Sequence, residues 1–250
     1  MGRDRYKQVL EDRWQCFNAD GFIKADPLNI VYQLKERLFQ SCECNTQQHL
    51  EIGALFVAMI AWGNRKMIQS NAVKLMHVMN WLPYNYIVDG EFENFPNEQC
   101  VHRTLFGKEF KQVCRNLQQV YTQYSTLQEY VLDTDFPGNK GGYVEQLAKI
   151  VAPAKLGSVS ANSACKRICM YLRWMVRSDK PDLGLWQQIA ANELFAVLDV
   201  HVVRQAQMYG LVTGKTASWR AVQQLTDCYK LWCQTDPLKY DMVMMQNDIE

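Results

Sequence analysis

A lysine at a predicted helix start and an aspartate thirty-three residues later are the two residues whose types point to chemistry. Lys166 follows Ser163, a side chain that commonly caps helices, and residues 163–177 carry apolar side chains at helical spacing. The unpaired N–H groups at a helix start oppose protonation of an ammonium, so a buried Lys166 is suited to act as an amine nucleophile. The alternative is an ordinary first-turn lysine that reaches solvent or a phosphate.

Asp199 lies within the segment Leu198-Asp-Val-His-Val-Val-Arg204, just before a predicted helix. As an N-cap it has a structural role worth about 1 kcal/mol. A carboxylate at this place is also suited to accept a proton from a lysine or to stabilise a developing cation. His201 and Arg204 lie within about one turn of it and are suited to bind phosphate. Sequence order by itself does not bring Lys166 and Asp199 together.

Basic residues are concentrated in one part of the chain. Arg173 and Arg177 continue with Lys166 along one stripe of the predicted helix, and Arg167 adds a further charge. Residues 138–180 hold eight lysines and arginines against two acidic residues, although the whole chain has a net charge of +1. Such a distribution is typical of a one-sided surface for a polyanion, and a solvated helix face is the alternative.

The composition is that of a globular protein, with 250 residues, 48% of them hydrophobic and 21% charged. This excludes disordered and fibrous chains. The apolar runs are too short to span a bilayer, and the first residues lack the apolar region of a signal peptide, so we expect a cytoplasmic protein without a membrane partner. The nine cysteines form no CxxC and no zinc-finger spacing, which favours reduced core thiols and no bound metal.

Helical periodicity dominates the chain, and alternating strand patterns are nearly absent. Breaker residues mark two loops, at 137–142 and about 152–162. We therefore predict an all-α protein, a single domain over 1–250 with two helical lobes at about 26–135 and 140–250 and a cleft between them. The predicted helices cover about 27–40, 50–61, 66–81, 108–124, 126–133, 163–177, 199–210, 216–232 and the chain from 236 onward.

The helix opening with Lys166 and the later Leu198–Arg204 segment together resemble the helix-hairpin-helix DNA glycosylases. The long interval between them, and a hairpin that lacks the usual Gly-x-Gly, resemble the archaeal 8-oxoguanine glycosylase branch. Residues of about 26 to 245 are also similar to an uncharacterised family of bacterial hypothetical proteins affiliated with that superfamily. The segments that carry this likeness are Ala61–Lys66, Val101–Phe106, Ser163–Arg167, Leu172–Arg177, Leu185-Trp186, Leu198–Arg204 and Asp236–Asp241.

This resemblance implies roles for individual residues. Lys166 matches the nucleophilic lysine, and Asp199 matches the aspartate that assists it. Gly157 and residues 158–162 replace the usual hairpin, and their backbone amides are expected to cradle a phosphate. The implied base-recognition residues are Asn64, Trp62, Asp241 and Met245. The implied nucleic-acid contacts are Ser163, Arg167, Arg173, Arg177, His201 and Arg204.

The activity that the resemblance implies is a DNA glycosylase with AP lyase activity, which removes an oxidised purine through a lysine Schiff base. Its partner would be duplex DNA with a damaged base, bound by a monomer without a cofactor. The alternative is a nucleic-acid-binding protein of the same fold without catalytic activity, and a third is a helical module for a protein partner or small molecule. His102 and Arg103 either line the cleft or tie a loop to a helix, with the structural role favoured. Trp62, Trp174 and Trp186 are candidates for base stacking, although packing in the core is the more common role of such residues.

Overall fold

A computed structural model describes residues 3–134 and 141–245, and these residues are mostly helical. They contain thirteen α-helices, three short 3-10 segments and one two-stranded antiparallel hairpin. The predicted all-α class is therefore confirmed. No helix in these two ranges is both long and apolar enough to cross a membrane.

The helices that the periodicity predicted are all present, and four more, α1, α2, α6 and α9, accompany them. Pro83 begins α6, where its missing N–H leaves no helical bond unmade. The α-helices are α1 (Arg3–Gln15), α2 (Ala19–Ala25), α3 (Leu28–Gln40), α4 (Thr46–Ile60), α5 (Arg65–Val78), α6 (Pro83–Val88), α7 (Gly107–Tyr121), α8 (Leu127–Leu132), α9 (Gly142–Val151), α10 (Lys166–Val176), α11 (Val200–Met208), α12 (Trp219–Trp232) and α13 (Lys239–Met245). The strands are β1 (Cys100–His102) and β2 (Leu105–Phe106).

The described chain forms two compact units. The first unit contains residues 3–22, 141–145 and 157–245, and the second contains 23–134 and 146–156. Helices α10, α11, α12 and α13 therefore pack in the first unit together with α1, and α3 to α8 pack in the second with the hairpin. Lys166 and Asp199 both belong to the first unit.

Helix α4 forms the centre of the second unit, as its apolar sequence predicts. Its residues from His49 to Ile60 are all buried. Gly53 allows close packing against α3, because a Cβ atom at this position would lie only 2.4 Å from the Leu34 side chain. The buried Glu51 carboxylate accepts hydrogen bonds from the Leu127 amide and the Tyr121 hydroxyl, which fixes the start of α8 against α4.

Helix α10 does not carry the exposed cation stripe that the sequence predicts. The Arg173 and Arg177 side chains are only 1% and 2% exposed, and both bind Asp182, at 3.2 and 3.1 Å. Arg177 also binds Asp236 at 2.7 Å. The predicted phosphate contacts at Arg173 and Arg177 are therefore wrong, because buried carboxylates already occupy these two guanidinium groups. A step of three or four residues identifies a helix face but does not show whether solvent reaches it.

The remaining basic residues of 138–180 are divided between the two units. Lys149 and Lys155 belong to the second unit, whereas Lys166 and Lys180 belong to the first. Lys140 lies outside the described residues.

We expect Asp182→Asn to lower the free energy of unfolding by about 3 kcal/mol, because it leaves two buried guanidinium groups without their shared carboxylate. The matched control is Asp179→Asn, since the Asp179 side chain is 72% exposed and lies 3.8 Å from Arg177. This control should change stability by less than about 1 kcal/mol. Urea denaturation measures both values, and equal effects of the two substitutions would contradict this account of the network.

His49 makes the stability of the second unit depend on pH. Its side chain is fully buried, its Nδ1 accepts a hydrogen bond from the Tyr84 amide, and burial lowers its pKa to about 4. The unfolded chain therefore binds a proton at His49 below about pH 6.5 that the folded chain does not bind until about pH 4. We expect His49 to remove on the order of 3 kcal/mol of stability as the pH falls through this window.

The measurement is urea denaturation between pH 4 and 8 for the wild type and for His49→Asn, whose side-chain oxygen can replace Nδ1 as acceptor. The variant should lose less stability than the wild type on acidification. Parallel curves for the wild type and His49→Asn would show that His49 is not the group responsible.

Candidate catalytic site

Helix α10 begins at Lys166, so the lysine occupies the first helical position. The residue before it is Cys165, which has a left-handed backbone with φ of 47° and provides no side-chain cap. The prediction that Ser163 is the N-cap is wrong, because Cys165 occupies that position. The Ser163 hydroxyl instead accepts a hydrogen bond from the Cys165 amide at 3.3 Å, within the loop that precedes the helix. Lys166 nevertheless lies in the first turn, as predicted.

The loop before α10, residues 157–165, is held by side chains from its own unit. Gly157 has φ of 91°, and a Cβ atom there would lie 2.1 Å from the Ser163 hydroxyl, so only glycine allows this approach. The Glu145 carboxylate accepts hydrogen bonds from the Val159 amide and the Ser160 hydroxyl, both at 2.8 Å. The Val159 amide is therefore already bonded and is not free for the phosphate that the sequence led us to expect.

Asp199 reaches the site through the buried, irregular segment 194–198. It is the N-cap of α11, as predicted, and its Oδ1 accepts hydrogen bonds from the amides of His201 and Val202, both at 3.0 Å. These two bonds fix the orientation of the carboxylate. The second oxygen, Oδ2, is left to face Lys166.

The Lys166 Nζ and the Asp199 Oδ2 are 2.6 Å apart. Burial alone would raise the pKa of Asp199, but the Lys166 charge and the amides of Val202 and His201 outweigh it and hold this pKa below its ordinary value. The side chains are 34% exposed for Lys166 and 19% for Asp199. The tertiary structure thus joins an amine and a carboxylate that the sequence separates, at a place that solvent reaches.

Other predicted site residues lie on the two helices of this pair. Arg167 is partly buried next to Lys166, and burial lowers its pKa to about 10. His201 and Arg204 are exposed on α11. On the same helix Val200 and Met208 are 66% and 73% exposed, which is unusual for apolar side chains. The exposed side chains of α11 therefore include both basic and apolar ones.

Asp241 lies on α13 with only 1% of its surface exposed. Its Oδ2 accepts a hydrogen bond from the Val197 amide at 2.8 Å. The predicted base-reading role needs an accessible carboxylate, so the structure contradicts it in the arrangement described. The side chain of Met245, predicted to lie beside the base, is outside the described residues.

The predicted base-recognition residues Trp62 and Asn64 belong to the second unit. Asn64 is exposed and caps α5, where its Oδ1 accepts a hydrogen bond from the Met67 amide at 3.2 Å. The Arg103 guanidinium lies 4.2 Å from the centre of the Trp62 ring. Trp62 and Asn64 lie on the loop before α5, at the surface of their unit. Their roles in base recognition stay predictions.

His102 has the structural role that the sequence favours. It is fully buried, its Nε2 lies 2.8 Å from the Trp62 carbonyl oxygen, and its Nδ1 lies 3.0 Å from the Asn71 amide group. It therefore ties the Trp62 loop to α5. Trp174 and Trp186 are fully buried in the core, which excludes them from base stacking in this structure.

The sequence analysis did not identify the residues that bind the segments before Lys166 and Asp199. Glu145 and Thr226 are ordinary polar residues on helices, and no spacing distinguishes them from solvent-facing ones. The structure shows that Glu145 binds the loop before α10 and that Thr226 binds the Ala196 amide at 2.9 Å. Within the described ranges, no group of His, Cys, Asp and Glu side chains has the arrangement of a metal site.

We expect Asp199→Asn and Asp199→Ala to separate the two roles of this residue. Asparagine caps a helix as well as aspartate does, whereas alanine does not, so Asp199→Ala should be about 1 kcal/mol less stable than Asp199→Asn. Both variants lose the ion pair with Lys166, and their difference therefore isolates the cap. Urea denaturation gives the two values, and equal stabilities would mean that the two amide bonds to Oδ1 contribute nothing.

Comparison with known proteins places the chain in a family. Residues 38–250 match the model of a family described as a protein of unknown function, DUF2400. No curated protein and no solved structure matches the chain. Because the matched residues make up most of its length, the chain belongs to the DUF2400 family.

Proposed function

We propose that this protein is a DNA glycosylase with AP lyase activity, which removes an oxidised purine through a Schiff base on Lys166. The observation that carries the proposal is the 2.6 Å contact between Lys166 Nζ and Asp199 Oδ2. An amine nucleophile and an acidic partner are the two groups that such a reaction needs. The pair also joins the two segments on which the likeness to helix-hairpin-helix glycosylases depends.

The reaction begins when the neutral Lys166 amine attacks C1′ of the damaged nucleotide. The glycosidic C–N bond breaks, its electron pair leaves with the base, and the base takes up a proton. The C1′–O4′ bond then breaks, O4′ receives a proton from the nitrogen, and a protonated imine joins Lys166 to the sugar. β-Elimination from this imine cuts the strand.

Asp199 has two tasks in this scheme. It accepts the proton that Lys166 must lose before attack, and its negative charge stabilises the positive charge that develops at C1′. The amides of His201 and Val202 hold Oδ1, so that Oδ2 is directed at the amine without reorganisation. Fixed groups of this kind are the usual source of electrostatic stabilisation in enzymes.

Solvent access to the pair favours a large substrate. One third of the Lys166 side chain is exposed, and the exposed His201 and Arg204 follow Asp199 on α11. In this proposal His201, Arg204 and Arg167 bind phosphates of duplex DNA, and the target nucleotide leaves the base stack to reach the lysine. The protein would act as a cytoplasmic monomer with a glycosylase-like fold and a divergent hairpin, and would need no cofactor.

A nucleic-acid-binding protein of the same fold without catalysis is the second candidate. The observation that favours it is the set of contacts at Asp199, because two amides and one ammonium stabilise the carboxylate as an anion. Such an anion is a weak base for taking the proton from Lys166. In that case the pair would be an ion pair at a DNA-binding surface.

The decisive experiment is borohydride trapping with a duplex that contains 8-oxoguanine. We expect the wild type to form a covalent protein–DNA adduct and Lys166→Gln to form none, because glutamine has no amine to make an imine. The matched control is Lys180→Gln, since Lys180 lies in the same unit and pairs with Asp20 at 3.3 Å, but both of these side chains are well exposed. This variant should trap DNA as the wild type does.

Asp199→Asn should bind the duplex with unchanged affinity and trap it at least about a hundredfold more slowly. If the wild type forms no adduct with any member of a panel of oxidised, deaminated and alkylated bases, the proposed activity is wrong. Salt-dependent DNA binding without an adduct would then support the second candidate.

A further inference from the structure

The segment that delivers Asp199 to Lys166 has no regular secondary structure. Residues 194–198 are buried, and they belong to neither a helix nor a strand. Buried backbone N–H groups need acceptors, and among the described residues no neighbouring strand supplies them. The position of this segment, and of Asp199 after it, therefore depends on side chains from other elements.

Two buried side chains supply acceptors for two of these amides. The Ala196 amide donates to the Thr226 Oγ1 of α12 at 2.9 Å, and the Thr226 hydroxyl in turn donates to the Val222 carbonyl oxygen at 2.7 Å. The Val197 amide donates to the Asp241 Oδ2 of α13 at 2.8 Å. Thr226 and Asp241 are each only 1% exposed.

The burial of Asp241 is energetically unfavourable. Burial raises its pKa to about 7, and its second oxygen, Oδ1, has no hydrogen-bond partner among the described residues. The bond to the Val197 amide is therefore the main identifiable interaction of this carboxylate with the segment before Asp199. The other ionisable groups that face Asp241 are Arg173, Arg177, Asp182 and Tyr229.

Hydrogen bonds to α1 hold helix α13, and therefore Asp241, in place. Glu11 of α1 accepts a hydrogen bond from Lys239 at 2.8 Å and another from the Tyr240 hydroxyl. Val197 is only two residues from Asp199, so a displacement of Val197 moves the carboxylate. A shift of about 1 Å is enough to break a 2.6 Å contact and to slow a reaction substantially.

We propose that Thr226 and Asp241 are positioning residues, which hold the amides of Ala196 and Val197 so that the Asp199 carboxylate stays in contact with Lys166. The inference rests on the proposed function, because that function makes Asp199 the group that must be positioned. It replaces the base-reading role that the resemblance implies for Asp241.

The first test measures the position of Asp199 without reference to activity. Carboxyl NMR titration gives the Asp199 pKa in Thr226→Val and Asp241→Leu, which remove one acceptor each, and in Thr226→Ser and Asp241→Asn, which keep it. We expect the first two variants to raise the Asp199 pKa towards its ordinary value, because Lys166 no longer touches it, and the second two to leave it low. A merely structural role would lower stability but would not move this pKa in the folded protein.

An Asp199 pKa equal to that of the wild type in folded Thr226→Val removes Thr226 from the proposal, and the same result in Asp241→Leu removes Asp241. Failure of Asp241→Leu to fold also removes Asp241, and Thr226→Val then decides the proposal for Thr226, because valine matches threonine in shape.

The second test is single-turnover borohydride trapping of the 8-oxoguanine duplex by the same variants. We expect Thr226→Val and Asp241→Leu to trap at least about tenfold more slowly with unchanged duplex affinity, and the acceptor-keeping variants to match the wild type. Absence of an adduct with the wild type would refute the proposed activity, whereas the NMR titration would still decide whether the two residues position Asp199. Equal trapping rates for all variants would overturn the positioning role in catalysis.

Discussion

The contact between Lys166 and Asp199 imposes the main constraint on the first unit, because each of its side chains stands at the start of a different helix. Asp199 lies at the positive end of the α11 dipole and binds two amides there, so its negative charge is favoured. Lys166 lies at the positive end of α10, which repels an ammonium. Both members of the ion pair therefore lie at helix starts.

The contact between the two helix starts depends on other interactions that hold the helices in place. Further along α10, Arg173 and Arg177 both bind Asp182. Arg177 also binds Asp236, which precedes α13. These ion pairs explain why Arg173 and Arg177 are unavailable for a polyanion. They also show that one helix uses its cations in two ways, since Lys166 at its start is partly open to solvent whereas the two arginines are enclosed.

Two amides of the buried, irregular segment before Asp199 donate hydrogen bonds to side chains of other helices. Thr226 and Asp241 take the place of a neighbouring strand, and each supplies one acceptor to one amide. The loop before Lys166 follows the same rule, because Glu145 binds the Val159 amide and Ser160 within it. Both halves of the candidate site are thus placed by polar side chains from elsewhere in their unit. These contacts hold the loop before Lys166 and the segment before Asp199 in place, although neither is part of a helix.

Periodicity and breakers in the sequence were sufficient for the all-α class, the central buried helix α4 and the helices that begin at Lys166 and after Asp199, because amphipathic spacing and helix ends are local properties. Local patterns did not reveal α1, in which Tyr6 and Leu10 are the buried residues, since so few apolar side chains make a weak signal. They also could not show that Arg173, Arg177 and Asp241 are buried, because burial depends on what packs against a helix face. The chemistry of Lys166 and Asp199 follows from residue type, but their contact was decided by the tertiary structure, which alone brings together groups that thirty-three residues separate.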